Sequence, residues 1–274
     1  MILVDINQIL LAHILFQLRV NKDVDETLIR RLIVTSLSKC KSKFNYYGKI
    51  VICSDSRNYW RKNKFSYYKS TRKKEREDSK LDWEYIFSMC VTIKDEIEKH
   101  LPYQFLQIDG AEADDIIAVI TKLKHKEEKI LIYSADKDFG QLQIYPSVYQ
   151  YNPIQSEFIV QKDPVRFLKE HIIMGDRSDG IPNIFSQDDT FMIGKRQKSI
   201  TKKNIEIFVN SSPEEFCKDA ETLSNYNRNL QLIDFSHIPS DITDNILQRF
   251  NDTINKNKKV NLQYYISNNL SNLL

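Results

Sequence analysis

Five short clusters of acidic residues constrain this sequence most, because most of them come just after a short apolar run. The clusters are Asp5; Asp55; Glu112, Asp114 and Asp115; Asp136 and Asp138; and Asp176 and Asp179. Carboxylates gathered in one place repel each other unless a cation binds them. Hard divalent cations such as Mg2+ take oxygen ligands from several chain segments. The pattern therefore predicts a site for two metal ions.

The apolar runs have the character of parallel strands. Each is short and rich in β-branched or aromatic residues, and helical periodicity follows it. They cover residues 1–4, 49–53, 105–108 and 130–133. In an open α/β sheet, ligand-binding residues gather beyond the carboxyl ends of the strands, near the switch in strand order. Asp5, Asp55 and Asp136 occupy such positions, so we expect them to meet.

The composition is that of an ordinary globular protein. At 274 residues, with 41% hydrophobic and 28% charged residues, the chain can bury a core, and its net charge of +3 identifies no partner. Its four cysteines show no paired spacing, which predicts a reduced cytoplasmic protein. The sequence starts on a predicted strand, and no apolar stretch approaches the roughly 20 residues that span a bilayer. We expect neither export nor membrane insertion.

The character of the sequence changes near residue 160. Before that point strands and helices alternate, whereas the later part is mainly helical. Amphipathic stretches there cover residues 164–174, 213–223 and 242–254. We predict an α/β domain at residues 1–160 and a helical domain at residues 161–274.

Each acidic cluster also has a simpler explanation. Glu112, Asp114 and Asp115 open a helix predicted over residues 111–122, where acids stabilise the helix dipole. Glu112 and Asp115 share a face and Asp114 points elsewhere, so spacing alone leaves open which of them binds metal. Asp136, Asp138, Asp176 and Asp179 lie in turn-like sequences, where aspartate is common. Taken together, the five clusters favour a shared site.

Two basic clusters accompany the acids. Between residues 57 and 76, nine Lys or Arg residues face one acid, Glu75, and are interleaved with aromatic residues. Cations bind phosphates and aromatic faces stack on unpaired bases, so this segment predicts a single-strand channel; the alternative is a solvated helix with core aromatics. A second patch contains no acid and could contact a duplex backbone or form a surface loop. It comprises Lys195, Arg196, Lys198, Lys202 and Lys203.

Three motifs, taken in order, resemble the signature of the five-prime nuclease family, which includes flap endonucleases and polymerase-associated five-prime exonucleases. They are Ala-Glu112-Ala-Asp114-Asp115, Ser-Ala-Asp136-Lys-Asp138-Phe and Gly-Asp176-Arg-Ser-Asp179-Gly-Ile-Pro. Residues 59–62, 67–72 and 226–235 are similar to the ribonucleases H of tailed bacteriophages, a branch of this family. The resemblance covers essentially the whole chain.

The resemblance implies a PIN-like, mainly parallel sheet flanked by helices, a helical arch at about residues 56–80 and a C-terminal helical DNA-binding domain. It assigns the carboxylates to two Mg2+ ions, for which Mn2+ could substitute. The first ion would take Asp5, Asp55, Glu112, Asp114 and Asp136, and the second Asp138, Asp176 and Asp179, with Asp115 in support. Arg61 and Lys69 would contact the scissile phosphate. The nucleic-acid-binding residues would be Lys62, Tyr67, Tyr68, Arg72, Lys195, Arg196 and Lys198.

The activity implied is that of a metal-dependent phosphodiesterase with ribonuclease H activity. As a 5′-3′ exonuclease and flap endonuclease, it would remove RNA primers and adjacent DNA during phage DNA replication. Its partners would be DNA and RNA–DNA hybrids with 5′ ends, flaps or forks, together with a single-strand-binding protein or a sliding clamp. We expect a monomer, without membrane contact, in the cytoplasm of the infected host.

One departure from the family pattern concerns the second domain. Relatives carry a glycine-rich helical hairpin that grips duplex DNA and often binds K+, but residues 183–199 contain only Gly194. We therefore expect a degenerate helix-hairpin-helix-like region and no regular K+ site.

Three alternatives stay open from the sequence. A PIN-like single-strand ribonuclease shares an acidic α/β site, although the long helical half argues against it. A non-catalytic nucleic-acid-binding protein would keep the basic clusters without turnover. A haloacid-dehalogenase-type phosphatase is disfavoured because Asp5-Ile-Asn7 lacks the second aspartate that phosphoryl transfer requires.

Overall fold

The structure is a computed structural model that describes residues 1–21, 24–256 and 258–273. Within these residues, six strands form one mixed sheet. The strands are β1 (Ile2–Asp5), β2 (Ile50–Ser54), β3 (Gln104–Gln107), β4 (Ile130–Tyr133), β5 (Val148–Asn152) and β6 (Glu157–Ile159). Their order is β3-β2-β1-β4-β5-β6, with β6 alone antiparallel to its neighbour. The predicted mainly parallel α/β sheet is confirmed.

The order in which strands are added to the sheet reverses between β1 and β4, although the two strands are parallel. The chain passes from β1 to β2 and β3 on one side and then returns to place β4 beside β1. Such a reversal leaves a crevice beyond the carboxyl ends of the two neighbouring strands. The first and fourth acidic clusters are positioned there.

Strands β5 and β6 were not predicted from the sequence. Polar residues interrupt the apolar pattern of β5, yet Gln150 on this strand is fully buried. Its side-chain amide donates hydrogen bonds to the backbone oxygens of Ser134 at 3.1 Å and Asp136 at 2.6 Å. Because these bonds satisfy a buried polar group, the strand tolerates a residue that sequence patterns assign to the surface.

Helices cover both faces of the sheet. They are α1 (Ile6–Asn21), α2 (Glu26–Lys43), α3 (Trp60–Lys64), α4 (Ser70–Glu77), α5 (Trp83–His100), α6 (Ala113–Lys124), α7 (Pro164–Met174), α8 (Lys202–Val209), α9 (Pro213–Phe216), α10 (Ala220–Ile233), α11 (Ser240–Ile254) and α12 (Leu262–Ser267). Helices α1, α2, α5 and α12 pack on one face, against alternate strand residues such as Ile2 and Val4. Helices α6 and α11 cover the other face, against Leu3 and Val51.

The later helices fall into two groups. Helices α7 to α10 pack on each other, and α7 and α10 also pack on Phe65 and Tyr68, which follow α3. Helices α11 and α12 return to the two faces of the sheet. Helix α7 has the predicted bounds, with Asp163 as its N-cap and Gly175 at its end. The predicted helix at residues 213–223 is instead two helices, because Asp219 caps a new one by accepting from the Thr222 backbone N–H at 2.7 Å. The division of domains at residue 160 stays a prediction.

None of the helices in the described ranges combines the length and apolar character needed to cross a bilayer.

The packing of α11 on the sheet gives a stability prediction. Phe250 on α11 is 1% exposed, so Phe250→Ala should lower the free energy of unfolding by about 3–5 kcal/mol through lost burial and a cavity. Urea denaturation followed by circular dichroism measures this loss. The control is Phe16→Ala on α1, which is 60% exposed and should change stability by about 0.5 kcal/mol or less. Equal effects of the two substitutions would contradict the packing described.

Candidate metal centre

The carboxylates of Asp5 and Asp136 lie at the carboxyl ends of β1 and β4, beside the crevice where the strand order reverses. Asp5 accepts hydrogen bonds from the Gln8 backbone N–H at 3.1 Å and from the Ser134 hydroxyl at 3.2 Å. The backbone of Asp136 is held by the Gln150 amide at 2.6 Å. These bonds fix both carboxyl groups at the position where open α/β sheets bind ligands.

Asp55 joins the end of β2 to the start of α6. Its Oδ1 accepts a hydrogen bond from the Ala113 backbone N–H at 2.7 Å, which directs the first turn of α6 toward the crevice. Asp114 lies in that turn, and its carboxylate interacts electrostatically with those of Asp5 and Asp136. The structure therefore brings Asp114 into the cluster, a choice that the spacing left open.

The electrostatics show that these carboxylates share one environment. Burial, followed by the charge of Asp55, raises the pKa of Asp5 from 3.8 to about 7. Burial and the charges of Asp136 and Asp5 raise the pKa of Asp114 well above its usual range. Burial also raises the pKa of Asp136. Like charges held together away from water raise each other's pKa, and a bound cation reverses that cost.

A second group of ligand atoms lies next to the first. One ligand atom each of Asp138, His171 and Asp176 lies within 4.8 Å of the others. His171 Nε2 is 3.0 Å from Asp176, and its Nδ1 is 3.5 Å from Asp138. Burial, then the charge of Asp136, raises the pKa of Asp138 to about 7. Within the described chain, Asp138 Oδ1 is buried and has no hydrogen-bond partner, as expected of an oxygen atom that would bind a cation.

Asp176 differs because hydrogen-bond donors and a lysine already compensate its negative charge. Burial opposes ionisation, but hydrogen bonds from His171, Ser178 and Lys137 hold the pKa of Asp176 well below its usual range. Lys137 Nζ lies 2.9 Å from this carboxylate and is itself 60% exposed. His171 is not among the site residues predicted from the sequence. Its one signal is its place in the last turn of a helix that leads into the acidic loop.

Glu112 and Asp115 both form ion pairs with Arg61. The two acids form a capping box at the start of α6, and Asp115 also accepts from the Trp60 indole at 3.1 Å. The Arg61 guanidinium, 3% exposed, lies 2.8 Å from each carboxylate and donates to the Leu232 backbone oxygen at 2.9 Å. The predicted contact of Arg61 with the scissile phosphate is therefore corrected. Its donors are directed into the interior, and it positions the two acids.

The aromatic residues of the basic segment also differ from expectation. Trp60, Phe65 and Tyr68 are buried, and the latter two pack against α7 and α10. The Tyr68 hydroxyl donates to Asp179 at 2.9 Å and lies 3.1 Å from Glu112. The predicted contact of Tyr68 with nucleic acid is thus corrected, because its ring is buried and its hydroxyl is directed to the acids. These rings anchor the segment, and Tyr67 is half-buried at its edge.

Lys69 extends into the acidic cluster from the turn before α4. Its Nζ is 2.6 Å from Glu112 and 3.8 Å from Asp179. The turn docks on the acidic loop because the Lys69 backbone N–H donates a hydrogen bond to the Asp179 backbone carbonyl oxygen at 2.7 Å. Gly180 allows this approach: it has φ +73°, and a Cβ there would lie 2.8 Å from the Tyr67 oxygen.

The other predicted nucleic-acid-binding residues are exposed. Lys62 lies on the outer side of α3, and Arg72 on α4 bonds to Asp179 at 2.5 Å. The second basic patch lies in an irregular segment before α8 and at the start of that helix, with every side chain exposed to solvent. It comprises Lys195, Arg196, Lys198, Lys202 and Lys203. The second basic patch and Lys62 are exposed to a phosphate backbone, whereas the Arg72 guanidinium is already paired with Asp179.

Comparison with known proteins agrees with this geometry. Residues 1–171 match the family model of the N-terminal, resolvase-like domain of 5′-3′ exonucleases, and residues 167–274 match that of the C-terminal part of T4 RNase H. Ribonuclease H of Enterobacteria phage T4 is 36% identical over 262 residues, which cover 91% of this chain and 85% of that protein. The 5′-3′ exonuclease of Buchnera aphidicola subsp. Acyrthosiphon pisum is 32% identical over 166 residues, covering 56% and 55%.

Solved structures from bacteriophage T5 share the fold. The D15 protein co-crystallised with metal ions superposes with a TM-score of 0.65 at 15% identity, covering 92% of this chain and 98% of that one. The D15 flap endonuclease in a pseudo-enzyme–product complex with DNA and metal ions gives 0.66 at 16% identity, covering 92% and 97%. Since the two family models together span residues 1–274, the chain belongs to the 5′-3′ exonuclease family, with a C-terminal part of the T4 RNase H type.

Proposed function

We propose that the chain is a metal-dependent 5′-3′ exonuclease and flap endonuclease that removes RNA primers and adjacent DNA from 5′ ends during phage DNA replication. The observation that carries this proposal is the cluster of buried and half-buried carboxylates at the switch in strand order, in a member of the 5′-3′ exonuclease family. A buried group of acids beside exposed basic surfaces suits hydrolysis of a polyanion. Binding alone would not require the acids.

The residues present fit two divalent cations. The donors are carboxylate oxygens, which suit Mg2+ and Mn2+. We assign Asp5, Asp55, Asp114 and Asp136 to the first ion, with Glu112 linked to it through Lys69. We assign Asp138, Asp176 and Asp179 to the second, with Asp115 in support. When bound, such ions stabilise the charge that develops on a phosphoryl group and lower the pKa of water.

Lys69 is the residue that we place on the scissile phosphate. Its ammonium is held between Glu112 and Asp179, which belong to different acidic segments. A phosphate in the crevice would therefore contact this cation without any movement of the backbone. The hydrogen bond that docks the turn before α4 on the acidic loop supports the role, because a cation positioned in advance stabilises charge without reorganisation.

The substrate is proposed to extend from the crevice over both basic surfaces. Lys62 and Arg72 would contact the single strand near the cluster, and Tyr67 would lie beside them. Lys195, Arg196 and Lys198 would contact the duplex backbone from the helical part of the chain. We further propose a monomer in the cytoplasm of the infected host. A single-strand-binding protein or a sliding clamp would deliver it to RNA–DNA hybrids, flaps and forks.

Removal of one carboxylate tests the proposed function. Asp136→Asn should reduce Mg2+-dependent release of short products from a 5′-labelled RNA primer or DNA flap by about a thousandfold or more. Binding of the same substrates in EDTA should persist, since phosphate contacts remain. The matched control is Asp244→Asn, an exposed position on α11, which should cleave like the parent chain. Full activity of Asp136→Asn would contradict the assignment, and binding by the parent without cleavage would favour a non-catalytic protein.

The raised pKa values give a pH prediction for metal binding. The folded-state pKa of Asp5 and of Asp138, about 7, exceeds the ordinary value of 3.8, so without metal the stability contribution of these groups declines as pH rises from about 4 through 7. Metal requires the ionised carboxylates. Saturating Mg2+ should therefore raise the melting temperature more at about pH 8 than at about pH 5.5. Thermal unfolding with Mg2+ or EDTA measures the difference, and an equal rise at both pH values would argue against this site.

Two substitutions separate the roles of the basic residues. Lys69→Met should lower the cleavage rate by about a hundredfold and should lower stability less than Arg61→Met, because Glu112 keeps Arg61 as a partner. Arg61→Met should lower the free energy of unfolding by about 3–5 kcal/mol, because it removes the buried cation that Glu112 and Asp115 share. Single-turnover cleavage and urea denaturation of both variants provide the comparison. The assignment fails if Arg61→Met keeps full stability.

A further inference from the structure

His171 places an imidazole ring among the carboxylates of the second ion site. It lies in the last turn of α7 and is 7% exposed. Its ring faces Asp138, in the helical turns at Lys137–Ile144 that follow β4, and Asp176, in the loop after α7. These three side chains form the group whose ligand atoms all lie within 4.8 Å of one another, and His171 is its nitrogen donor.

The Nε2 atom of His171 is a hydrogen-bond donor. It lies 3.0 Å from Asp176 Oδ2, which also accepts from the Lys137 ammonium at 2.9 Å. The other oxygen of Asp176 accepts from the Ser178 backbone N–H at 2.7 Å and from the Ser178 hydroxyl at 2.6 Å. A carboxylate surrounded by donors is ionised and can only accept, so Nε2 carries a proton. The bond to Asp176 fixes the orientation of the ring, and Nδ1 is left for another partner.

The Nδ1 atom is directed at Asp138 but makes no hydrogen bond with it. Nδ1 and Asp138 Oδ1 are 3.5 Å apart. Within the described chain both atoms are buried, and neither has a hydrogen-bond partner. A proton on Nδ1 would be expected to form that hydrogen bond, so Nδ1 presents a lone pair to a carboxylate oxygen. Two buried acceptors that face each other are costly unless a cation binds both.

The spacing of the two atoms suits ligands of one ion. Nitrogen and oxygen ligands lie about 2.0–2.2 Å from Zn2+ and ions of similar size, so two of them at a tetrahedral angle are about 3.3–3.6 Å apart. The distance of 3.5 Å between Nδ1 and Asp138 Oδ1 falls in this range. Metal-binding histidines almost always donate their other ring N–H to a partner such as a carboxylate, and Asp176 is that partner here.

Packing between α7 and the turns after β4 holds the imidazole in this position. Phe167 lies one helical turn before His171, and the two ring centroids are 5.7 Å apart. Gly140 allows the approach of Phe167, because a Cβ there would lie 3.3 Å from the Phe167 ring. A ligand whose position is fixed by its neighbours is ready for the ion before the ion binds.

We propose that His171 Nδ1 is a ligand of the second ion and makes that site selective for a first-row transition-metal ion over Mg2+. The inference rests on the proposed function, which supplies the second ion. Mg2+ is a hard cation that takes oxygen ligands, whereas imidazole nitrogen suits transition-metal ions such as Zn2+, Fe2+ and Ni2+. Asp138 would supply an oxygen to the same ion, and Asp176 would orient the imidazole. The carboxylates assigned to the first ion offer oxygen alone, so the two sites differ in metal preference.

Mn2+ without substrate is the probe, because its unpaired electrons report a directly bound nitrogen without turnover. Electron spin-echo envelope modulation of the parent chain with Mn2+ should show coupling to an imidazole nitrogen. His171→Gln keeps an N–H donor near the Nε2 position but has no nitrogen at Nδ1, so this coupling should disappear. The matched control is His237→Gln, since His237 is an exposed histidine 3.6 Å from the single carboxylate of Asp234. The control should keep the parent's spectrum.

Competition with Mg2+ measures the selectivity of the site. The parent chain with two bound Mn2+ ions is titrated with Mg2+, and the electron paramagnetic resonance signal of released Mn2+ is followed. Displacement of one ion should require about tenfold more Mg2+, or more, than displacement of the other, because one site has a nitrogen ligand. His171→Gln should remove that difference. Asp138→Asn is the second variant: it removes the other ligand of the pair and should also abolish the nitrogen coupling.

The outcomes separate the nitrogen ligand from the proposed function. Nitrogen coupling in the parent that both substitutions abolish supports the inference. A parent spectrum without this coupling overturns it whether or not the variants fold, as does coupling that persists in His171→Gln or equal displacement of the two ions. Since the samples contain no substrate, a chain that shows the coupling but cuts nothing keeps the ligand and refutes the nuclease. Cleavage by a chain without the coupling does the reverse.

Discussion

The mutual repulsion of buried carboxylates is the constraint on which the rest of this structure depends. Burial and the charge of Asp136 raise the pKa of both Asp5 and Asp114, in a crevice where Asp5 is buried and the other two carboxylates are half-buried. Such an arrangement is costly without positive charge. The fold meets that cost with backbone N–H groups, the N-terminus of α6 and the ammonium of Lys69. The negative charge that these groups leave uncompensated favours the binding of a divalent cation.

The basic segment between β2 and α5 is folded around the same cluster. Its buried aromatic residues pack on α7 and α10, and the Arg61 guanidinium joins Glu112 and Asp115 to the Leu232 backbone oxygen. The turn at Lys69 docks on the acidic loop through Gly180. The two halves of the chain thus meet at the site itself. A change in the position of α10 would reach the carboxylates through the buried side chains of Arg61 and Tyr68.

Much of the site could be predicted from the sequence because strand ends carry chemistry in parallel sheets. The apolar runs before Asp5, Asp55 and Asp136 predicted the strands, and the aspartates at their carboxyl ends were expected to meet. Three features could not be predicted from the sequence, because contacts between distant parts of the chain create them. Arg61 and Tyr68 have the composition of a nucleic-acid surface but are buried by α7 and α10. His171 acquires its role from the loop that places Asp176 beside it, and β5 escaped because hydrogen bonds satisfy its buried Gln150.

Anomalous diffraction from crystals soaked in Mn2+ tests the central claim most directly, because it locates the cations without relying on turnover. The account predicts one Mn2+ among the carboxylates of Asp5, Asp114 and Asp136 and a second beside Asp138 and Asp176. A crystal with no Mn2+ among these groups, in which Lys69 alone balances their charge, would contradict it.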